Sequence, residues 1–273
     1  MSRFEHLPDG SVHGRLLPGT RTAMVVADRN PSRDLSFSGV LLRVEPAKEA
    51  REICDRVVHA STPLVTPDGR VFVERGRPGP QRNDELTIEE ATSQPRVVFT
   101  AHGYTTHLAG AFGHELIVYF VRPGGAQLLA VDMDSGRSRP LIDLAPFARD
   151  FHVDGHFLFY SERAENRQWA VERLDLITDR RERLVTAKDQ VLAPHPWKGD
   201  LAYNDHGLRL LGAGRVEHRE GHDVVAATAG DLAAVLHYSS NLGLPELEVV
   251  DAAVVRQIAT PPDSHIHVVG FVK

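Results

Sequence analysis

The chain of 273 residues holds one cysteine, three methionines and two tryptophans, and aromatic residues make up only 7% of it. The single cysteine, Cys54, excludes an internal disulfide. Its setting in Arg51-Glu52-Ile53-Cys54-Asp55-Arg56-Val57-Val58 reads as a strand position that buries a small residue. Long hydrophobic runs are missing. No segment approaches the roughly 20 apolar residues of a membrane span, and the first ten residues carry no apolar stretch of the leader type. A cytoplasmic protein is expected, without a membrane partner. Excess positive charge is absent too: 31 Lys and Arg face 37 Asp and Glu, a net charge of −6. The basic residues are scattered, so the electrostatic footprint of a nucleic-acid partner is lacking.

Familiar catalytic signatures are also absent. There is no G-x-S-x-G nucleophile elbow, which excludes a serine-hydrolase domain of that type, and neither glycine-rich nucleotide loop occurs. His114-Glu115 opens like a zinc-peptidase motif, but Val118 stands where the second histidine would be needed. Helical periodicity is scarce. Apolar residues recur at spacing two or in short runs, outside one turn-like stretch from Leu144 to Asp150.

Glycine, by contrast, recurs in a pattern. Gly19, Gly69, Gly113, Gly155, Gly199, Gly230 and Gly270 each border a short apolar run, and six intervals cover the 251 residues from first to last, a mean of about 42. That is the period of a four-stranded propeller blade. After each turn comes a β-rich run such as Leu116-Ile117-Val118-Tyr119-Phe120-Val121 or Phe157-Leu158-Phe159-Tyr160, read as a buried second strand. A third strand then ends in an acidic residue, as at Glu45, Glu89, Asp132, Asp175 and Asp251, before a turn and a fourth strand. The expectation is a single all-β domain over residues 1–273, a β-propeller of six blades with seven as the alternative. Segments 11–17 and 265–272 compete for the first strand of the opening blade, and a C-terminal strand there would close the ring and remove exposed edges.

Thr62-Pro63-Leu64-Val65-Thr66-Pro67-Asp68-Gly69-Arg70-Val71-Phe72-Val73-Glu74-Arg75 resembles the inner hairpin of TolB-type (WD40-like, PD40) propeller repeats, and Pro194 to Tyr203 is a looser copy. The resemblance implies the propeller fold. It extends to secreted scaffolds, to non-catalytic domains of prolyl-oligopeptidase-like enzymes, and remotely to oligogalacturonate lyases that hold a metal through histidines.

Fifteen histidines are many for this length, and several fall at the entry of a first strand: His13, His59, His107, His152, His195, His222, His265 and His267. First strands of a propeller line its channel, so these rings can converge at one mouth. His107, His152, His195 and His267 are candidate general bases. His265 and His267, two apart on a strand, share a face and are candidate ligands for a divalent metal. Arg29, Arg75, Arg122 and Arg163 close successive second strands, and Arg75, Arg122 and Arg163 are candidates for holding an anionic substrate. Asp28, Glu74 and Glu162 precede three of these arginines and are their candidate salt-bridge partners. Two functions follow. One is a lyase or isomerase acting on a small anionic or polar molecule by histidine base catalysis. The other is a non-catalytic scaffold binding a ligand, or a protein partner through a loop face.

Overall fold

The computed structural model describes residues 12–29, 37–58, 60–78, 84–102, 104–145, 147–163, 168–188, 192–215, 221–239, 244–251, 254–258, 268, 270 and 271. Among them every regular element is a strand, and no helix is long and apolar enough to cross a membrane. Leu144 ends one strand and Ala148 to Asp150 begin the next, so the described residues of the stretch 144–150 form no helical turn. The chain separates into two compact units, one running to Asp143 and the other from Leu144 to Phe271.

In the first unit, β1 (Val12–Leu16), β2 (Ala23–Asp28), β3 (Gly39–Val44) and β4 (Arg51–Val57) form one antiparallel meander. β5 (Leu64–Val65), β6 (Val71–Pro78), β7 (Asp84–Glu90) and β8 (Arg96–Ala101) form a second, joined to the first through the pair Val57 and Arg75. β9 (Thr105–Phe112), β10 (Glu115–Arg122), β11 (Gly125–Asp132) and β12 (Ser138–Leu144) make the third. The second unit repeats the plan three times. β13 (Ala148–Asp154), β14 (Phe157–Arg163), β15 (Gln168–Asp175) and β16 (Arg181–Lys188) make its first sheet. β17 (His195–Trp197), β18 (Asp200–Asn204), β19 (Leu208–Leu210) and β20 (Gly214–Arg215) form a smaller one. β21 (His222–Ala229), β22 (Leu232–Tyr238), β23 (Glu246–Asp251) and β24 (Val254–Ile258) form the last.

Each sheet is thus built from strands consecutive in the chain. The place beside β2 for which two segments compete is filled by β1, in register from Val12 opposite Ala27 to Leu16 opposite Ala23. Residues 264–267, 269, 272 and 273 lie outside the described residues. All seven repeat glycines have positive φ. At Lys198-Gly199 both residues of a two-residue hairpin do (φ 57° and 71°), the backbone of a type I′ turn, which matches the twist of the paired strands.

The acidic ends of third strands have a local cause. Asp132 Oδ1 accepts the backbone N–H of Ser135 at 2.7 Å, and Asp175 Oδ1 accepts that of Ile177 at 2.9 Å, so each carboxylate closes its own outer turn. Second strands are buried on both faces, and side chains from adjacent sheets within a unit share cores. Met24, Leu41, Cys54, Val57 and Val73 pack together in the first unit, as do Phe72, Ile88, Leu116, Val118 and Met133. Trp197, Leu208, Val225 and Val235 do so in the second. Cys54 sits in this packing with its thiol pKa pushed up to about 11 by burial, an inert core residue. The Pro67-Asp68-Gly69 turn is braced by Arg70, whose guanidinium grips Glu90 at 2.8 and 2.9 Å and reaches Asp134 at 3.1 Å, tying two sheets of the first unit.

Candidate functional site

The histidine pattern maps onto equivalent places. His13, His107, His152, His195 and His222 all lie on first strands of their sheets. His59, His265 and His267 lie outside the described residues, so the candidate metal ligands carry no geometry, and among the described residues no three of His, Cys, Asp and Glu gather to hold a metal ion.

Two candidate bases come together. β13 carries a bulge between Arg149 and His152, with Asp150 in a left-handed conformation (φ 57°), and the ladder resumes with His152 opposite Phe159. A bulge of this kind re-aims the side chain that follows it. His152 meets His195 of β17, ring centroids 4.2 Å apart at 45°. Nδ1 of His195 lies 3.0 Å from the carbonyl oxygen of Pro196, which fixes that ring at the strand end. Both rings border an open pocket of about 290 Å³ that also touches Asp154, Trp197, Lys198 and Thr228. The Lys198 ammonium lies 4.2 Å from the Trp197 ring centroid, a cation–π contact that orders its stem beside the pocket. Trp197 is buried, and its indole Nε1 has no hydrogen-bond partner. Trp197 and Lys198 escaped the sequence reading because one resembled core and the other a turn.

His107 lies in the first unit, opposite Tyr119 on β10, and stacks on it at 6.1 Å. Its ring is half exposed, and partial desolvation lowers its pKa. Nδ1 faces Oε2 of Glu74 at 3.8 Å.

Each candidate arginine has a local partner. Arg75, well inside β6 and not at its end, gives Nη1 to Glu89 at 2.7 Å, Nη2 to Asp55 at 2.9 Å and Nε to the Asp55 carbonyl at 2.7 Å. Arg122 is exposed, 3.9 Å from Asp143, and Arg163 lies over the Phe147 ring at 5.7 Å. Arg29 pairs with Glu52. Of the acids that precede arginines, Glu162 takes an arginine, Arg181, while it also accepts the Ala145 N–H. Asp28 accepts the Ser38 hydroxyl at 2.6 Å, and Glu74 is left without a cation.

The second unit also buries a polar network that spacing did not indicate. Asp223 Oδ1 lies 2.7 Å from Nδ1 of His237, and its Oδ2 accepts the Leu208 N–H at 3.0 Å. Asn204 Nδ2 stands 2.7 Å from Nδ1 of His222. These groups satisfy backbone and side chain inside the sheets, the ordinary use of buried polar residues. An acidic residue inside an otherwise apolar alternating run was the available signal.

No family model matches the sequence, and no curated protein is similar to it. Solved structures do resemble it. A mutant puromycin hydrolase matches with TM-score 0.68 and 15% identity over 93% of this chain and 47% of its own. TolB from Acinetobacter baumannii matches at 0.54 and 14% over 84% of this chain and 52% of its own. The β-propeller domain of the Trilobed protease from Pyrococcus furiosus, described as having an open velcro topology, matches at 0.62 and 11% over 91% of this chain and 84% of its own. The chain therefore has the β-propeller fold, of the kind found in TolB proteins and in propeller domains of peptidases. It spans about half the length of the hydrolase and TolB chains. Fold does not carry activity with it.

Proposed function

We propose that this chain is a propeller-fold binding domain that takes a small acidic ligand in the His152–His195 pocket. One observation carries the reading: two imidazoles from separate sheets converge 4.2 Å apart at an open pocket beside Lys198. Imidazole gains a proton between about pH 5 and 8, and a carboxylate entering there meets charge-assisted donors. Lyase or isomerase chemistry would also need a group that holds charge developing on the substrate. Arg75, the least exposed candidate for that task, is already engaged by two carboxylates.

Calorimetric titration of the full chain with succinate and with inorganic phosphate tests this. Binding is expected to tighten about ten-fold from about pH 8 to about pH 6, as a protonated ring adds a charged hydrogen bond. It should vanish in His195→Ala with the melting temperature retained. Absence of binding at either pH, or binding indifferent to both His152→Ala and His195→Ala, overturns the reading.

A protein-docking role is favoured by a different observation. Phe147 and Ile177 stand 59% and 68% exposed in loops of the second unit, the most exposed large apolar side chains among the described residues. Under that reading, Ile177→Asp leaves ligand titrations unchanged and abolishes partner capture.

A further inference from the structure

Glu74 belongs to no part of the pocket. It lies on β6 and is 2% exposed. Oε1 accepts the Leu108 N–H of β9 at 2.6 Å. Oε2 is buried without a hydrogen-bond partner, and Nδ1 of His107 lies 3.8 Å from it. Among the described residues no cation pairs with it: β4, which also packs on β6, carries Arg56, but that guanidinium gives Nε to the Gly76 carbonyl at 2.7 Å. β9 supplies His107 and a backbone N–H, Val58 donates only to the Glu74 carbonyl, β7 places Ile88 opposite, and neighbouring Arg75 is held by Asp55 and Glu89.

An ionised carboxylate in such a place is far costlier than the neutral acid. Glu74 therefore keeps its proton, and burial raises its pKa to about 8. Because Oε1 is already an acceptor, the proton falls on Oε2, the oxygen that faces His107. A hydroxyl can donate only to a ring nitrogen that bears no hydrogen, so the His107 proton sits on Nε2. Closing the gap by about 1 Å brings Oε2 and Nδ1 into hydrogen-bond range. Nε2, on the ring edge away from Glu74, is left for a ligand.

We propose that Glu74 and His107 form a tautomer-setting pair that presents the Nε2–H of His107 to the oxyanion of a small carboxylate, and that ionisation of Glu74 reverses the ring. In that reversal Glu74 loses its proton to solvent, Nε2 releases its hydrogen to water, and Nδ1 takes one and donates it to the new carboxylate. The pair loses one proton in all. Nε2 becomes an acceptor and no longer suits an anion. Glu74 is a positioning residue here, acting through His107.

Long-range proton–nitrogen spectra of the full chain with labelled histidine, recorded from about pH 7 to about pH 9.5 with acetate as probe, test this. Expected is the Nε2–H tautomer at the lower pH, its inversion through the alkaline range, and an acetate response at His107 that weakens about ten-fold across it. Glu74→Gln cannot ionise, and its amide N–H donates to Nδ1 in place of the hydroxyl. It should keep the Nε2–H tautomer and the acetate response throughout. An Nδ1–H ring at neutral pH, a ring that never inverts, or an acetate response equal at both ends overturns the proposal. The wild-type titration alone decides if the glutamine variant does not fold.

Discussion

Replacing Glu74 by glutamine should change how the stability of the protein depends on pH. The side chains have nearly the same shape, and the glutamine oxygen can still accept the Leu108 N–H that Oε1 accepts at 2.6 Å. What disappears is the titration. In the folded protein Glu74 titrates at about 8 against an ordinary value of 4.5, with burial as the first cause. The sign follows from linkage. Between those values the native state holds a proton that the unfolded chain has released, so stability contributed by the neutral acid is complete below pH 4.5 and is lost as pH rises to about 8. The loss amounts to about 3 to 5 kcal/mol for a group so fully buried. Glu74→Gln should match the wild type near pH 4.5 and exceed it by about that amount above pH 8.5. Urea unfolding of both proteins at several pH values measures the difference, which isolates Glu74 together with the His107 ring that it faces. A difference that stays constant with pH would refute the reasoning and show that Glu74 is ionised in the native protein.

Two further outcomes follow from the geometry. Glu90, gripped by Arg70 and Arg96, has its carboxyl pKa held down to about 2, so its contribution is present above 4.5 and lost as pH falls towards 2. Glu90→Gln should therefore cost about 1 to 3 kcal/mol at neutral pH, progressively less as pH falls below 4.5, and little below about pH 2, read from acid unfolding followed by circular dichroism. Gly221 has φ 142°, and a Cβ there would stand 2.6 Å from Cε1 of His237 and 2.7 Å from the Tyr238 carbonyl oxygen. Gly221→Ala should lower stability by about 2 to 4 kcal/mol. Gly113→Ala, with φ 58° and nothing within 4 Å, should cost only about 1 kcal/mol. Equal melting temperatures for the two variants would contradict this.

The architecture was legible because its signals are local. A left-handed turn demands glycine whatever surrounds it, so the repeat of Gly69, Gly113, Gly155 and Gly199 marked hairpins directly. The histidines of first strands were legible for the same reason. Side-chain partnership was not. Arg75 meets Glu89 as a diagonal neighbour across the regular β6–β7 ladder, where Arg75 stands opposite Thr87 and Val73 opposite Glu89, and no spacing in the sequence announces that register. Glu74, one residue before, is left without a cation by the same arrangement, so the acid expected to neutralise an arginine is the one that titrates alone. His152 and His195 could be proposed to converge from the repeat, but their contact depends on the irregularity before His152. The expected single domain was read from length and repeat, and the contacts of the folded chain separate it after Asp143 into two compact units.

Because every described sheet is built from strands consecutive in the chain, four of them of four strands and one of two joined meanders, almost all pairing partners are joined by short hairpins and no described sheet waits for a distant segment. Each can assemble as soon as its last strand has left the ribosome, so synthesis proceeds as a series of completed increments. Cores such as that of Phe72, Ile88, Leu116 and Val131 are shared between successive sheets, and each increment offers the next an apolar wall on which to condense. The loop-closure entropy that slows many all-β proteins is thereby divided into small steps. Shuffling the order of the sheets by circular permutation at a loop between them should disturb folding speed far less than splitting one hairpin.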